Sequence, residues 1–245
     1  MNTKYNNWFD SKYYHILYKN RNHQEARKFI KKLIKHLKLK RKSKVLDAGC
    51  GKGRHSIEIE KLGHIVTGID LSKNSIKFAK KFENSNLDFI VHDISKPLNM
   101  EFDAVLNLFT SFGYYERDKD LEILLSLQKN LNINGIGVID FFNIKTVKDN
   151  LVKKEEVILE NIKFKIVREI DKLSVTKEIS FSDNNIDFKF KESVNTLSII
   201  DFENYFKKTD LEIIQVFGDY DLNKFKKDTS PRLIIIFKKK SQSNK

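Results

Sequence analysis

The densest chemistry in the sequence is one short run, Asp47-Ala48-Gly49-Cys50-Gly51-Lys52-Gly53, directly after an apolar strand-like stretch that begins at Lys44. Glycines in such a turn let backbone come close to a ligand, because no Cβ stands in the way. The spacing is G-x-G-x-G, unlike the G-x-G-x-x-G of dinucleotide pyrophosphate binders. Asp47 sits inside the turn, where a carboxylate repels a pyrophosphate and suits a cation. Asp70 follows Gly49 by 21 residues and ends a second apolar run. An acid in that place can hold ribose hydroxyls. Asp93 ends a third run, where it can accept from an adenine amine. Any one of these acids could simply cap a helix or turn. Three of them at successive strand ends, beside one glycine turn, point to a shared ligand. That ligand is a nucleoside carrying positive charge, and S-adenosylmethionine fits it with a ribose, an adenine, an ammonium and a sulfonium.

The elements that must position these residues follow from hydrophobic period. Residues 23–40 place Ala26, Phe29, Ile30, Leu33, Ile34 and Leu37 at steps of three and four, one apolar stripe on a helix with its lysines largely outside it. After the glycine turn comes a helix from Arg54 to Leu62, closed by Gly63, then a strand from His64 to Asp70 and a helix that Ser72 can cap. Strands over 87–91, 102–108 and 135–142 and a helix over 118–131 continue the alternation. Strand–helix alternation predicts an α/β fold, a parallel sheet with helices on both faces. The pattern breaks at 157–197, where three strand-like stretches (157–170, 173–182 and 186–197) predict an inserted antiparallel meander. A helix over 198–209 and strands over 211–217 and 232–238 complete the chain, and the tail from Lys238 to Lys245 is expected to fray.

Val45-Leu46-Asp47-Ala48-Gly49-Cys50-Gly51-Lys52-Gly53, with Gly68-Ile69-Asp70-Leu71-Ser72 and His92-Asp93-Ile94, resembles the class I S-adenosylmethionine-dependent methyltransferases. The resemblance covers about residues 43–142, with the closing helix and strands at 198–238. It implies a Rossmann-like seven-stranded sheet whose last strand is inserted antiparallel. It also implies that Asp47, Gly49, Gly51 and Gly53 form the turn against the methionine part. Asp70 takes the ribose hydroxyls with Leu71 flanking adenine, Asp93 meets the adenine amino group beside Ile94, and Asn107 faces the methionine portion. The chain further looks like a bacterial small-molecule branch, through Trp8-Phe9-Asp10, Tyr13-Tyr14-His15, the run Asn107 to Tyr115, and Ser230-Pro231-Arg232. The meander is similar in placement to that of N-methyltransferases acting on glycine-type amines or amino sugars.

The expected organisation is an N-terminal helical lid over 1–42, a donor-binding core over 43–150 and 198–240, and a substrate-covering meander over 151–197. Methyl transfer by in-line displacement asks mainly for alignment, and aromatic faces suit a sulfonium. Phe109, Phe112, Tyr114 and Tyr115 are therefore candidates for the wall of the transfer site, against ordinary packing. Arg168 is a candidate partner for a substrate carboxylate, against plain solvation. Tyr14, His15 and Tyr114 are candidate catalytic groups, though an amine that enters neutral needs no base. His55 and Cys50 read as structural. No Cys/His cluster has metal-ligand spacing, so no metal is expected.

Composition sets the outer bounds. The chain has 245 residues, 40% of them hydrophobic, with 19 Phe, so it can build a packed core. Cys50 is the only cysteine, which excludes a disulfide framework. No apolar run reaches about 18 residues, and Met1 to Asp10 lacks an apolar signal core, so the default expectation is a reduced, cytoplasmic setting. The net charge of +13 is peripheral: residues 1–44 carry 14 Lys/Arg against 2 Asp/Glu, whereas 45–223 carry 24 against 30. Either a compositional bias toward Lys or a polyanion-binding surface explains it. The leading function is methyl transfer to a small-molecule acceptor. The rivals are an RNA methyltransferase using the basic helix, a non-catalytic S-adenosylmethionine-binding protein, and a NAD-dependent oxidoreductase, which the glycine spacing disfavours.

Overall fold

The structure is a computed structural model that describes residues 8–19 and 23–240. Residues 1–7 and 20–22 of the expected N-terminal segment, and 241–245 of the expected frayed tail, lie outside the described residues. Lys12–Leu17 forms a short helix, α1, and His23–Leu37 a longer one, α2. The alternating part then reads β1 (Lys44–Ala48), α3 (Arg54–Lys61), β2 (Ile65–Asp70), α4 (Lys73–Ala79), β3 (Leu87–Val91), β4 (Phe102–Asn107), α5 (Arg117–Lys129) and β5 (Leu131–Phe142). A helix the sequence did not announce, α6 (Ile144–Asp149), leads into β6 (Lys154–Leu159), β7 (Ile162–Ile170), β8 (Ser174–Asp183) and β9 (Ile186–Asn195). The chain closes with α7 (Ile199–Phe206), β10 (Leu211–Phe217) and β11 (Arg232–Lys239).

Seven strands form the main sheet in the order β10-β11-β5-β4-β1-β2-β3. The β1, β2, β3, β4 and β5 neighbours pair in parallel, while β11 runs antiparallel to both β5 and β10. This is the expected Rossmann-like sheet with its last strand inserted. Helical layers cover both faces of the central strand β1, and its side chains alternate between two cores. Val45 joins the layer holding Phe29, Ile30 and Leu33 of α2, with Ile57 and Ile59 of α3. Leu46 joins the opposite layer with Ile123, Leu124 and Leu127 of α5 and Phe202 and Phe206 of α7. The apolar stripe of α2 is thus packed on the sheet, with Lys28, Lys31, Lys32 and Lys35 exposed.

The inserted meander is a four-stranded antiparallel sheet, β6-β7-β8-β9, not three strands. The expected stretch 157–170 is split by a tight reversal at Glu160-Asn161, both with positive φ. Asn184-Asn185 makes a second reversal of the same kind. Two consecutive left-handed residues are the geometry of a two-residue hairpin turn, which Asn tolerates well. Glu at the first position hides that signal in the sequence.

One face of this sheet carries a third core. Trp8 and Tyr13 pack there with Ile162, Phe164 and Ile166 of β7 and Ile179 and Phe181 of β8. Trp8 Nε1 donates to Glu192, Tyr18 Oη donates to Glu192 Oε1 at 3.0 Å, and Tyr13 Oη donates to Asp183 at 2.8 Å. The N-terminal segment is therefore built onto the meander. Trp8 is fully buried, so Trp8→Ala is expected to cost about 3–5 kcal/mol. Urea denaturation followed by circular dichroism measures this, and a loss under about 1 kcal/mol contradicts the packing described.

Candidate active site

The order of strands reverses between β1 and β4, and at such a switch point the connections leave in opposite directions and open a crevice at the carboxyl ends of the strands. A cavity of about 760 Å³ lies there. Its walls come from the β1 turn (Gly49 to Lys52), the ends of β2 and β3, the segment after β4, and the residues around α1.

The turn is fixed by its neighbours. Gly49 N and Cys50 N both donate to Ile69 O, at 2.8 and 2.9 Å, and Gly51 N donates to Asp70 Oδ2 at 2.8 Å. Ser72 N donates to Asp70 Oδ1 at 2.8 Å. Each carboxylate oxygen of Asp70 thus accepts one backbone bond and keeps acceptor capacity for a hydroxyl on the cavity side. Burial pushes the Asp70 carboxyl up from its ordinary value, while the N–H groups of Ser72 and Gly51 oppose that shift. Gly49, at φ +84°, can lie against Ser111 only without a side chain: a Cβ would stand 2.6 Å from Ser111 Cβ. Gly51 faces open space, so its backbone is exposed to whatever the cavity holds.

The cavity also gathers Leu71, Asp93, Ile94, Phe109, Tyr114 and Tyr115. Asp93 Oδ1 accepts from Ser95 N at 2.9 Å, which orients the carboxylate. Burial first, then Asp93 and Asp70, push Tyr115 up to about 12, so it stays a neutral hydroxyl. Tyr14 and His15 come in from α1. Burial lowers His15 to about 4, with Lys52 adding to the effect and Asp10 opposing it. His55 also lines the cavity and is lowered to about 3 by burial and by Arg54. Both imidazoles are neutral at pH 7. Burial pushes the Cys50 thiol up, so it is no nucleophile.

Five expected residues stand elsewhere. Asp47 is fully buried behind the turn and accepts from Ser56 Oγ at 2.5 Å, tying β1 to α3 instead of touching the cavity. Gly53, at φ +79°, packs away from the cavity, where a Cβ would meet Phe89 Cζ at 2.5 Å. Asn107 is fully buried and donates to Ala48 O at 2.8 Å, bracing the end of β1 from behind. Phe112 is core, fully buried and 5.5 Å from the Phe202 ring. Arg168 lies on β7, away from the cavity, with Glu155 Oε2 at 2.5 Å and Val152 O at 3.2 Å. Asp47 and Asn107 do end strands as expected, but which way a side chain faces depends on turns and twist that spacing does not encode.

The structure adds residues to the site that spacing could not find, Asp10 among them. Asp10 reaches the start of α4, accepting from Ser72 Oγ at 2.6 Å, Asn74 N at 2.8 Å and Asn74 Nδ2 at 2.9 Å. It lines the cavity beside Asp70. More than 60 residues separate it from its partners, so no local pattern announces the contact.

Paired acids with free acceptor capacity, an open glycine backbone and aromatic walls fit a sulfonium nucleoside. The profile of a family described as a methyltransferase domain matches residues 39–203, two thirds of the chain. The chain belongs to that family. Its fold is that of the class I S-adenosylmethionine-dependent methyltransferases. The methyltransferase is 33% identical over 100 residues to the probable S-adenosyl-L-methionine-dependent methyltransferase TehB of Haemophilus influenzae, a match over 39% of this chain and 35% of that protein. It spans only about a third of the length of that relative. In fold it is similar to a S-adenosylmethionine-dependent methyltransferase of Clostridium acetobutylicum, with a TM-score of 0.79 at 19% identity over 94% of this chain and 96% of that one. It is also similar to an amino pentose methyltransferase of Micromonospora echinaspora, solved with S-adenosylmethionine bound, with a TM-score of 0.67 at 16% identity over 94% and 97%. No helix among the described residues is long and apolar enough to cross a membrane.

Two outcomes follow from the carboxylates. Asp70→Ala removes charged hydrogen bonds worth about 1.5–3 kcal/mol each, so S-adenosylhomocysteine is expected to bind at least 10-fold more weakly with the fold intact. Calorimetry reads this directly, and unchanged affinity removes the ribose assignment. Asp47 is raised from 3.8 to about 6, by burial first. Its folded form holds a proton more tightly than the unfolded chain does, so its contribution to stability is full below about pH 4 and is lost as pH rises through 6. Asp47→Asn is expected to flatten the dependence of the melting temperature on pH between 4 and 7. Parallel wild-type and variant curves refute the assignment.

Proposed function

We propose that this methyltransferase acts on the amine nitrogen of a small molecule that enters the cavity beneath α1. The observation that carries the reading is a group of aromatic rings at that end of the cavity. Phe9 stands 5.2 Å from both Tyr14 and Tyr114, and Tyr14 stands 4.9 Å from Tyr18, measured between ring centroids. All four residues line the cavity. Aromatic faces attract an ammonium or a methylated ammonium by about 0.5–2 kcal/mol each. The fold likeness to an amino pentose methyltransferase is consistent with an amine acceptor.

S-adenosylmethionine, when bound, supplies the electrophilic methyl on its sulfonium. The chain supplies position and exclusion of water. Asp70 and Asp93 hold the nucleoside end, and the glycine turn sets its depth. The rings from α1 and Tyr114 align the acceptor and keep its surroundings dry. His15, neutral at pH 7, can accept a hydrogen bond from an amine N–H but is too weak a base to keep the proton. The amine therefore sheds its proton to solvent before transfer, and rates rise with pH toward the acceptor's own pKa. In this reading residues 8–19, packed on the inserted sheet, cover the acceptor, and the turn after β1 with the ends of β2 and β3 holds the donor.

A panel of amino sugars, amino acids and simple amines, assayed for transfer of labelled methyl, tests the class. Tyr14→Phe is expected to keep kcat/KM within about 3-fold, and Tyr14→Leu to lower it about 10-fold, because only the ring is lost. Activity confined to hydroxyl acceptors, or equal rates in the two variants, overturns the proposal.

A further inference from the structure

The loop after β4 carries two consecutive residues, Phe109 at φ +61° and Thr110 at φ +59°, in the left-handed region without being glycine. Such backbone persists only where its surroundings over-determine it. Both residues line the donor cavity. Behind them lies Asp140 of β5, fully buried and off the cavity wall. Asp140 Oδ2 accepts from Phe109 N at 2.8 Å and from Tyr220 Oη at 3.1 Å. Asp140 Oδ1 accepts from Arg232 Nε at 2.8 Å and meets Arg232 Nη2 at 2.7 Å. The same Nη2 donates to Thr110 Oγ1 at 2.9 Å, and the backbone oxygen of Asp140 accepts from Thr110 N at 2.9 Å. Both N–H groups of the strained pair thus end on one residue.

The far side of the loop reaches the glycine turn. Ser111 Oγ donates to Gly49 O at 3.2 Å and to Leu108 O at 2.9 Å. Gly49 has no space for a Cβ against Ser111. A shift of the loop is therefore transmitted to the backbone that meets the donor. The Phe109 ring also lies 4.8 Å under the Arg54 guanidinium, so its placement sets the wall between turn and acceptor.

We propose that Asp140, charged and clamped by Arg232 and Tyr220, is a positioning residue that holds Phe109 and Thr110 in their left-handed conformation and thereby shapes the donor seat. It rests on the chain's being an S-adenosylmethionine-dependent methyltransferase and not on the acceptor's being an amine.

Calorimetry with S-adenosylhomocysteine tests it without any acceptor. Asp140→Asn keeps the side chain's size and loses its charge, and is expected to bind the ligand about 10-fold more weakly. Adding Thr110→Gly removes the conformational penalty, since glycine takes positive φ freely, and is expected to bring the affinity back to within about 3-fold of the wild type. Tyr220→Phe, which removes one donor to Asp140 Oδ2 but keeps both charges of the ion pair and the cavity lining, is expected to weaken binding about 3-fold with the melting temperature nearly unchanged. Wild-type affinity in a folded Asp140→Asn protein overturns the proposal, as does failure of the glycine to restore binding. If Asp140→Asn does not fold, Tyr220→Phe decides alone, and unchanged affinity there overturns it.

Discussion

Two backbone N–H groups on one carboxylate organise the site. Gly51 and Ser72 belong to different strand–helix connections, and Asp70 draws them together, one on each oxygen. The turn after β1 and the start of α4 are thereby set at a fixed separation, and the carboxylate is left facing the cavity. Removing its water is costly for a charged group, as its raised pKa records. The bonds from backbone offset part of that cost. Turn geometry and helix placement are thus one arrangement.

The sheet explains why that arrangement can exist. With β1 beside β4, the connections that follow these two strands leave in opposite directions, and the crevice between them is a property of topology before any side chain is considered. The two cores that flank the sheet then make its strand ends rigid. Loops on such a frame can carry strain, as Phe109 and Thr110 do, without loss of order elsewhere.

Most of the main sheet was legible in the sequence because its strands are short, apolar and punctuated by Gly, Ser or Asp. The same punctuation made it legible that Gly49, Gly51, Asp70 and Asp93 meet at one edge of the sheet, and all four line one cavity. Asp47, Gly53 and Asn107 show where that logic stops. They share the strand ends, yet turn twist directs them inward, and only three-dimensional packing distinguishes a lining residue from a bracing one. Phe112 failed for a related cause, since an aromatic run after a strand contains both core and wall positions. The meander's fourth strand stayed hidden because Glu160 occupies a turn position where Asn or Gly is the usual signal. Asp10 and Asp140 act through partners distant in sequence, and no periodicity reports such contacts.

The N-terminal segment is anchored at two places that belong to different parts of the molecule. Asp10 grips the beginning of α4 in the donor-binding core, while Trp8 and Tyr18 are bonded to Glu192 on the inserted sheet. The segment therefore bridges a seam. Any widening of the mouth by drawing the two sheets apart has to break one of these moorings. Access to the cavity along that seam is therefore governed by how long both moorings hold.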